Sequence, residues 1–350
     1  MKGESKRFLI ALLRFHGDIV LITPLIAAIK RLYPKSKIDL LVYKGTHRIL
    51  DDDTRIDEVF EANLSSKTGF FKKIFDEVKL YLRLRSNRYH YGVFLTTQWR
   101  MAFISRFISP VNSTGVSDPK RRGSFWTGSF NYIFPEVGEK HILERNLSSL
   151  SSFGLEIIES DFDLSLFISD SSRQHAKKLL NRSSIPSNYC IFHPVSRREP
   201  KLWRKERFSE VADFYSKKGI NVILTSGPEQ EEIDYLSEIE NRCEHHVTNL
   251  GGETSLTVLA ALIEGAEFFI GLDSVSSHLS AAVDTPSVTL FGPSSSVNWK
   301  PWSKKSVVIT RTGSEEYCEI HGHLGGKFKK CLCYISSKQV IDATERARTL

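Results

Sequence analysis

Short apolar runs alternate along the chain with longer segments of mixed polarity. Residues 8–13, 38–42 and 93–95 predict buried parallel strands, and helical periodicity at 19–32 and 70–84 fills the intervals. The alternation begins again past the middle. Apolar runs at 189–192, 222–224, 268–270 and 288–291 are separated by helical patterns at 207–218, 229–241 and 256–264. Two successive strand–helix series predict an α/β protein of two doubly wound, Rossmann-like domains. Polar residues 169–187, including the loop-like stretch 181–188, predict the linker. The expected division is therefore 1–168, linker 169–187 and 188–335, with 336–350 as a closing segment. Open α/β sheets bind ligands beyond the carboxyl ends of their strands, so the loops following strands, lining an interdomain cleft, are where chemistry is sought.

Composition agrees with this division. A chain of 350 residues exceeds what one core serves, and 41% hydrophobic with 25% charged residues excludes disordered, collagenous and coiled-coil classes. No apolar stretch reaches the length of a membrane span, and Arg14 interrupts the early apolar run before any cleavage-site pattern, so a cytoplasmic protein is expected. Five cysteines without a paired framework fit a reducing compartment.

The net charge of +7 is unevenly placed. Residues 67–122 hold twelve Lys/Arg against Asp76, Glu77 and Asp118, a local balance of +9, which leaves the remainder near neutral. Within this region, apolar positions interleave with Lys72, Lys73, Lys79 and Arg83 as in an amphipathic helix. Such a helix suits either an anionic lipid surface or a solvated face over a packed one. With no zinc-finger spacing, RNP aromatics or basic tail, nucleic acid is not an expected partner.

Four post-strand loops carry candidate chemistry. Arg14-Phe-His-Gly-Asp18 places Asp18 at the start of a helix, where a carboxylate serves as a cap or as a general base. After the strand at 189–192, Ser196, Arg197 and Lys201 offer a hydroxyl and cations to a phosphate, although ordinary surface loops hold the same residue types. Thr225-Ser-Gly-Pro228 leads to Glu231, a carboxylate able to accept from ribose hydroxyls or to serve the helix dipole. Asp273-Ser-Val-Ser-Ser-His278 runs straight into a helix whose first amides form an anion site, with Ser274, Ser276 and His278 adding polar groups. Together these loops suit a nucleotide diphosphate. There is no Gly-x-Gly-x-x-Gly fingerprint to imply a nicotinamide or flavin cofactor. Cys318, His321, His323, Cys331 and Cys333 follow no known finger or ribbon spacing, and a reduced cysteine-rich loop is the plainer reading, so no metal is expected.

The same motifs, with Thr23-Pro24, the 194–203 segment, Thr285-Pro286 and Leu290-Phe-Gly-Pro293, resemble the heptosyltransferases of glycosyltransferase family 9, most closely the third-heptosyltransferase branch. The resemblance runs over almost the whole chain. It implies a GT-B architecture, ADP-heptose as donor, inversion at the anomeric centre without a cofactor or metal, and an acceptor in the inner core of lipopolysaccharide. That acceptor is lipid-anchored, which implies peripheral work at the inner face of the inner membrane. By position, Asp18 matches the base; Ser196, Arg197 and Lys201 fall in the diphosphate loop; Glu231 matches a ribose contact and Thr254 lies by the adenosine. Asp273, Ser274 and His278 match the phosphate-binding loop. His16, Gln98 and Arg122 are carried as acceptor-side residues. Val195 departs from the pattern, where relatives often have a second hydroxyl. Residues 336–348 resemble the closing helix that packs back across the first domain. The alternatives are another family member with a different donor or acceptor, a nucleotide-sugar epimerase of the same architecture, and a non-enzymatic basic binding protein.

Overall fold

The computed structural model describes residues 5–63, 70–121, 123–135, 138–198, 201–310 and 332–350, with backbone alone at 70–73 and 333. The chain divides into two compact units, residues 1–167 and 168–350. The first contains β1 (Arg7–Leu12), α1 (His16–Val20), α2 (Thr23–Leu32), β2 (Lys37–Tyr43), β3 (Glu58–Ala62), α3 (Phe70–Ser86), β4 (Tyr91–Phe94), α4 (Trp99–Ile108), β5 (Asn112–Val116), α5 (Ser124–Thr127), β6 (Tyr132–Phe134) and α6 (Ile142–Ser151). The second contains α7 (Asp170–Arg182), β7 (Tyr189–His193), α8 (Lys205–Lys217), β8 (Asn221–Ser226), α9 (Gln230–Glu240), β9 (Thr248–Gly251), α10 (Leu256–Glu264), β10 (Phe269–Leu272), α11 (Val275–Ala282), β11 (Ser287–Phe291), α12 (Ser296–Trp299), β12 (Ser306–Thr310) and α13 (Ser337–Ala347).

Each unit is built on a six-stranded parallel sheet, ordered β3-β2-β1-β4-β5-β6 in the first and β9-β8-β7-β10-β11-β12 in the second. The central strands are apolar at nearly every position because helices cover both faces. Phe8, Leu9, Ile10 and Ala11 of β1 are fully buried, and Ile10 lies in register with Leu40 on one side and Val93 on the other. In both sheets the order reverses beside the first strand, so the crevice that a doubly wound sheet offers to ligands falls between β1 and β4 and between β7 and β10. Gly271 of β10 is required at the second of these places. A Cβ there would stand 2.5 Å from the Phe269 ring and 3.2 Å from the His193 main-chain oxygen.

Three expectations are revised. The helix anticipated over 19–32 is two helices, because Pro24 has no amide to continue the first and instead starts the second; Thr23 Oγ1 donates to the Val20 carbonyl at the junction. The polar segment 169–187 is largely α7, not a linker. Ser169 caps α7, Ala176 and Leu179 are buried, and Arg173 pairs with Glu264 of α10 at 2.8 Å. The closing helix α13 belongs to the second unit's core rather than to the first unit: Val340, Ala343 and Ala347 pack in one cluster with Tyr215, Phe268 and Trp203. Tyr215 donates to Glu345, and the Trp203 indole to the Ile335 carbonyl. An apolar stripe on an otherwise polar helix fits the groove beside α8.

Candidate active site

In the first unit, β1 runs through Leu13 into α1, and Asp18 is that helix's third residue. Its Oδ2 accepts from the Phe15 amide at 3.4 Å, a loose helix-start contact. Burial pushes the Asp18 carboxyl above the ordinary carboxylate range, opposed by the charges of Arg14 and Arg145. A carboxylate of raised proton affinity is a better base than a solvated one. His16 is half-buried at the first position of the same helix.

Gln98, at the start of α4, fixes the end of β1. Its Nε2 donates to the Leu13 carbonyl at 3.0 Å, and its Oε1 accepts from the Tyr43 hydroxyl at 3.1 Å. The structure thus joins two sequence-predicted residues, Gln98 and Asp18, through one loop, with Gln98 holding the chain that carries Asp18. Arg122 lies outside the described residues. Its neighbour Arg121 stacks over Trp99, the guanidinium carbon 4.5 Å from the ring centroid.

Arg145 was missed by sequence reasoning. It is buried in α6 and donates to the Leu95 carbonyl and to Asn146 Oδ1, both at 3.0 Å. The available signal was an Arg–Asn pair whose neighbours Ile142 and Ser149, at i−3 and i+4, share its buried face.

In the second unit, Lys201 and Asp273 come from the loops after β7 and β10 and meet at the reversal of strand order. Lys201 Nζ is 2.5 Å from Asp273 Oδ2 and 3.3 Å from the Asp273 main-chain oxygen. Both side chains are largely enclosed, 16% and 9% exposed. Ser274 precedes α11 but does not cap it; its hydroxyl lies 2.6 Å from that of Ser276. The first-turn amides of α11 therefore remain at the carboxyl edge of β10, where an anion is favoured. His278 is buried one turn further on.

Ser196 is half-buried and Arg197 exposed on the loop after β7, whereas the Val195 side chain packs in the core, 2% exposed. His193, which ends β7, lies 3.1 Å from the Thr225 hydroxyl, and burial pushes its pKa down to about 4, so it is neutral. Glu231 is exposed in the first turn of α9, while Glu232 folds back to accept from the Gly227 amide at 2.8 Å. Thr254 follows β9; its Oγ1 is buried without a hydrogen-bond partner. The Cys318, His321, His323, Cys331 and Cys333 cluster lies outside the described residues, Cys333 having a described backbone only.

The family described as glycosyltransferase family 9 (heptosyltransferase) matches residues 78–325. Lipopolysaccharide heptosyltransferase 3 of Escherichia coli K12 is 33% identical over 336 residues, 95% of this chain and 96% of that protein. This chain belongs to glycosyltransferase family 9. The family 9 glycosyltransferase of Veillonella parvula superposes with a TM-score of 0.84 at 21% identity, covering 100% of this chain and 99% of that one. The E. coli heptosyltransferase WaaC with ADP-2-deoxy-2-fluoro heptose does so with a TM-score of 0.74 at 19% identity, over 97% and 99%. The fold is accordingly GT-B, with two Rossmann-like units, and the chain is a glycosyltransferase. Family membership sets glycosyl transfer in place of the epimerase and simple binding-protein alternatives.

Proposed function

We propose that this glycosyltransferase moves heptose from ADP-heptose to a heptose of the lipopolysaccharide inner core, as a heptosyltransferase of the third type. The observation that carries this reading is the 33% identity to heptosyltransferase 3 across nearly the full length of both chains. The acceptor hydroxyl attacks the anomeric carbon of the donor as the bond to the diphosphate oxygen breaks, inverting the centre. Asp18 takes the hydroxyl proton, and its raised proton affinity suits it to that task. ADP departs with the bonding electrons. Lys201, Ser196 and the α11 amides after Asp273 take up its charge, the role that a divalent ion plays in other transferases.

Asp273 supports this by holding the ammonium in place rather than by meeting phosphate itself, since a carboxylate repels an anion. Thr254 and Glu231 serve the nucleoside, Arg197 and His278 border the diphosphate loop, and His16, Gln98 and Arg122 serve the acceptor side. Among the described residues no helix is long and apolar enough to cross a membrane, and a lipid-anchored acceptor calls for peripheral work at the inner face of the inner membrane.

The test is incubation with ADP-heptose and lipopolysaccharide cores truncated at defined lengths, read by mass spectrometry. Asp18→Ala should keep ADP affinity by calorimetry and lose transfer by about a hundredfold or more. Normal turnover in that variant removes Asp18 as the base. Transfer from another nucleotide sugar, or to another core length, assigns a different member of the family.

A further inference from the structure

Helix α3 carries two apolar faces where one would suffice to hold it in place. Leu80 and Leu84 point into the first unit's core, with Tyr81 packed at its margin. On the other side Ile74, Phe75, Val78 and Leu82 are 46%, 68%, 50% and 55% exposed. At 3.6 residues per turn these four positions fill one arc of about 100°, and Lys79 and Arg83 fall on the arc directly beside it. An open groove of about 480 Å³ runs along this side of the helix, lined by Phe75, Val78, Lys79, Leu82, Arg83 and Ser86. Helix α4 meets α3 through the Arg100–Glu77 ion pair and the Tyr81–Phe107 ring contact. There Phe103, one turn from both Arg100 and Phe107, is 54% exposed.

A row of large apolar side chains left to water along three turns of one helix is unfavourable for a protein that meets only solvent. The charge beside it identifies the occupant. Residues 67–122 have a local balance of +9, and on α3 the exposed Lys79 and Arg83 follow one border of the apolar arc, Arg83 also pairing with Glu58 at 2.8 Å. That is the pattern of a helix lying in a membrane interface, with apolar side chains among the acyl chains and lysines and arginines level with anionic head groups. We propose that the outward face of α3 is the membrane-docking surface of this enzyme, with Phe75, Val78 and Leu82 entering an anionic bilayer. This rests on the proposed lipid-anchored acceptor for its purpose, and on the exposed face and its charge for its argument.

The test is co-sedimentation of the full chain with vesicles of phosphatidylglycerol and phosphatidylethanolamine, compared with phosphatidylcholine alone. Wild type should bind the anionic vesicles and lose binding as salt rises, while the triple variant Phe75→Ser, Val78→Ser, Leu82→Ser should bind at least tenfold more weakly. Lys79→Glu should weaken binding several-fold. Calorimetric ADP affinity, and amide-exchange protection of β1, β2 and β4, should stay at the wild-type values in both, which shows that the second and the first unit are folded. The triple variant should keep transfer to a deacylated core and lose it to a core embedded in vesicles. Unchanged vesicle binding by the triple variant overturns the proposal, as does equal binding to neutral vesicles. A wild-type dimer that the triple variant converts to monomer, with no vesicle binding by either, also overturns it and makes the face a contact between two copies. If wild type transfers heptose to neither acceptor, the functional reading fails while co-sedimentation still scores the surface.

Discussion

Replacing Lys201 with Met removes the cation from Asp273, a carboxylate whose side chain is 9% exposed and whose Oδ2 stands 2.5 Å from the ammonium. Met keeps most of the length and the apolar stem, so lost packing contributes little. What changes is electrostatic. Removing one member of a buried pair typically costs about 3–5 kcal/mol because the other charge is left in a poorly solvated place. The pair retains some access to water, so a value of about 3 kcal/mol is expected here. Asp273→Asn should cost less, about 1 kcal/mol, because Lys201 can turn toward solvent and already lies 3.3 Å from the Asp273 main-chain oxygen. The double variant strands no charge and should cost about 1.5 kcal/mol, which implies a coupling of about 2.5 kcal/mol between the two positions. Urea unfolding measures each variant, and amide exchange in β7 and β10 confines the reading to the second unit. A coupling under about 0.5 kcal/mol, the value of a solvent-exposed pair, would refute the claim that this ammonium is held in place by the carboxylate.

Three further outcomes follow from the site. The pKa of Asp18 is raised by burial above its unfolded value of 3.8, so folding stability is fully present below that value and declines as pH rises through the folded pKa. Asp18→Asn should therefore melt at a higher temperature than wild type at pH 7, by a margin that shrinks in acid; a lower melting temperature at pH 7 contradicts the desolvation argument. Arg14 is the largest of the influences that lower the Asp18 pKa, so Arg14→Gln should move the acid limb of the transfer-rate profile to higher pH, and an unmoved limb would separate that limb from Asp18. Thr254→Val removes an unsatisfied buried hydroxyl: calorimetry should show ADP binding about tenfold weaker while the urea midpoint holds or rises, and unchanged affinity would take Thr254 out of the nucleotide site.

The strands legible in the sequence are those buried on both faces, where residues such as 8–12 and 189–192 read as unbroken apolar runs. Four of the five missed strands lie at sheet edges. β3, β6, β9 and β12 are the edges of their sheets, and Glu58-Val-Phe-Glu-Ala62 or Thr248-Asn-Leu-Gly251 carries polar residues because an edge is only partly covered. β5 is interior yet reads Asn-Ser-Thr-Gly-Val; Ser113 meets its hydrogen-bonding needs through Asn131, a partner that no local pattern announces. The site follows the same rule. As candidates, Asp18, Lys201 and Asp273 are legible because each lies in the segment that follows a strand. Arg145 is not, because its influence on Asp18 comes from a distant helix, and its own segment reads as an ordinary amphipathic one.

One topology appears twice in this chain with opposite chemistry at the same position. The segment after β1 carries Asp18, the base of the proposed reading; the loops after β7 and β10 carry a cation paired with a carboxylate. On the proposed reading this pairing shapes catalysis. An ammonium shared with Asp273 binds a ground-state diphosphate less tightly than a free one. As the sugar–oxygen bond breaks, charge accumulates on the departing oxygen, and the same ammonium interacts more strongly with it than with the intact donor. Stabilisation that grows along the reaction raises turnover rather than donor affinity. Comparing Asp273→Asn, which keeps the cation, with Lys201→Met/Asp273→Asn, which lacks it without stranding a carboxylate, isolates the effect. The second should lower kcat by about a hundredfold, roughly the 2.7 kcal/mol that one preorganised donor supplies, and change ADP affinity by less than about tenfold. Equal losses in both quantities would make Lys201 a binding residue only, and the charge of the departing ADP would then have to be met by Ser196 and the α11 amides alone.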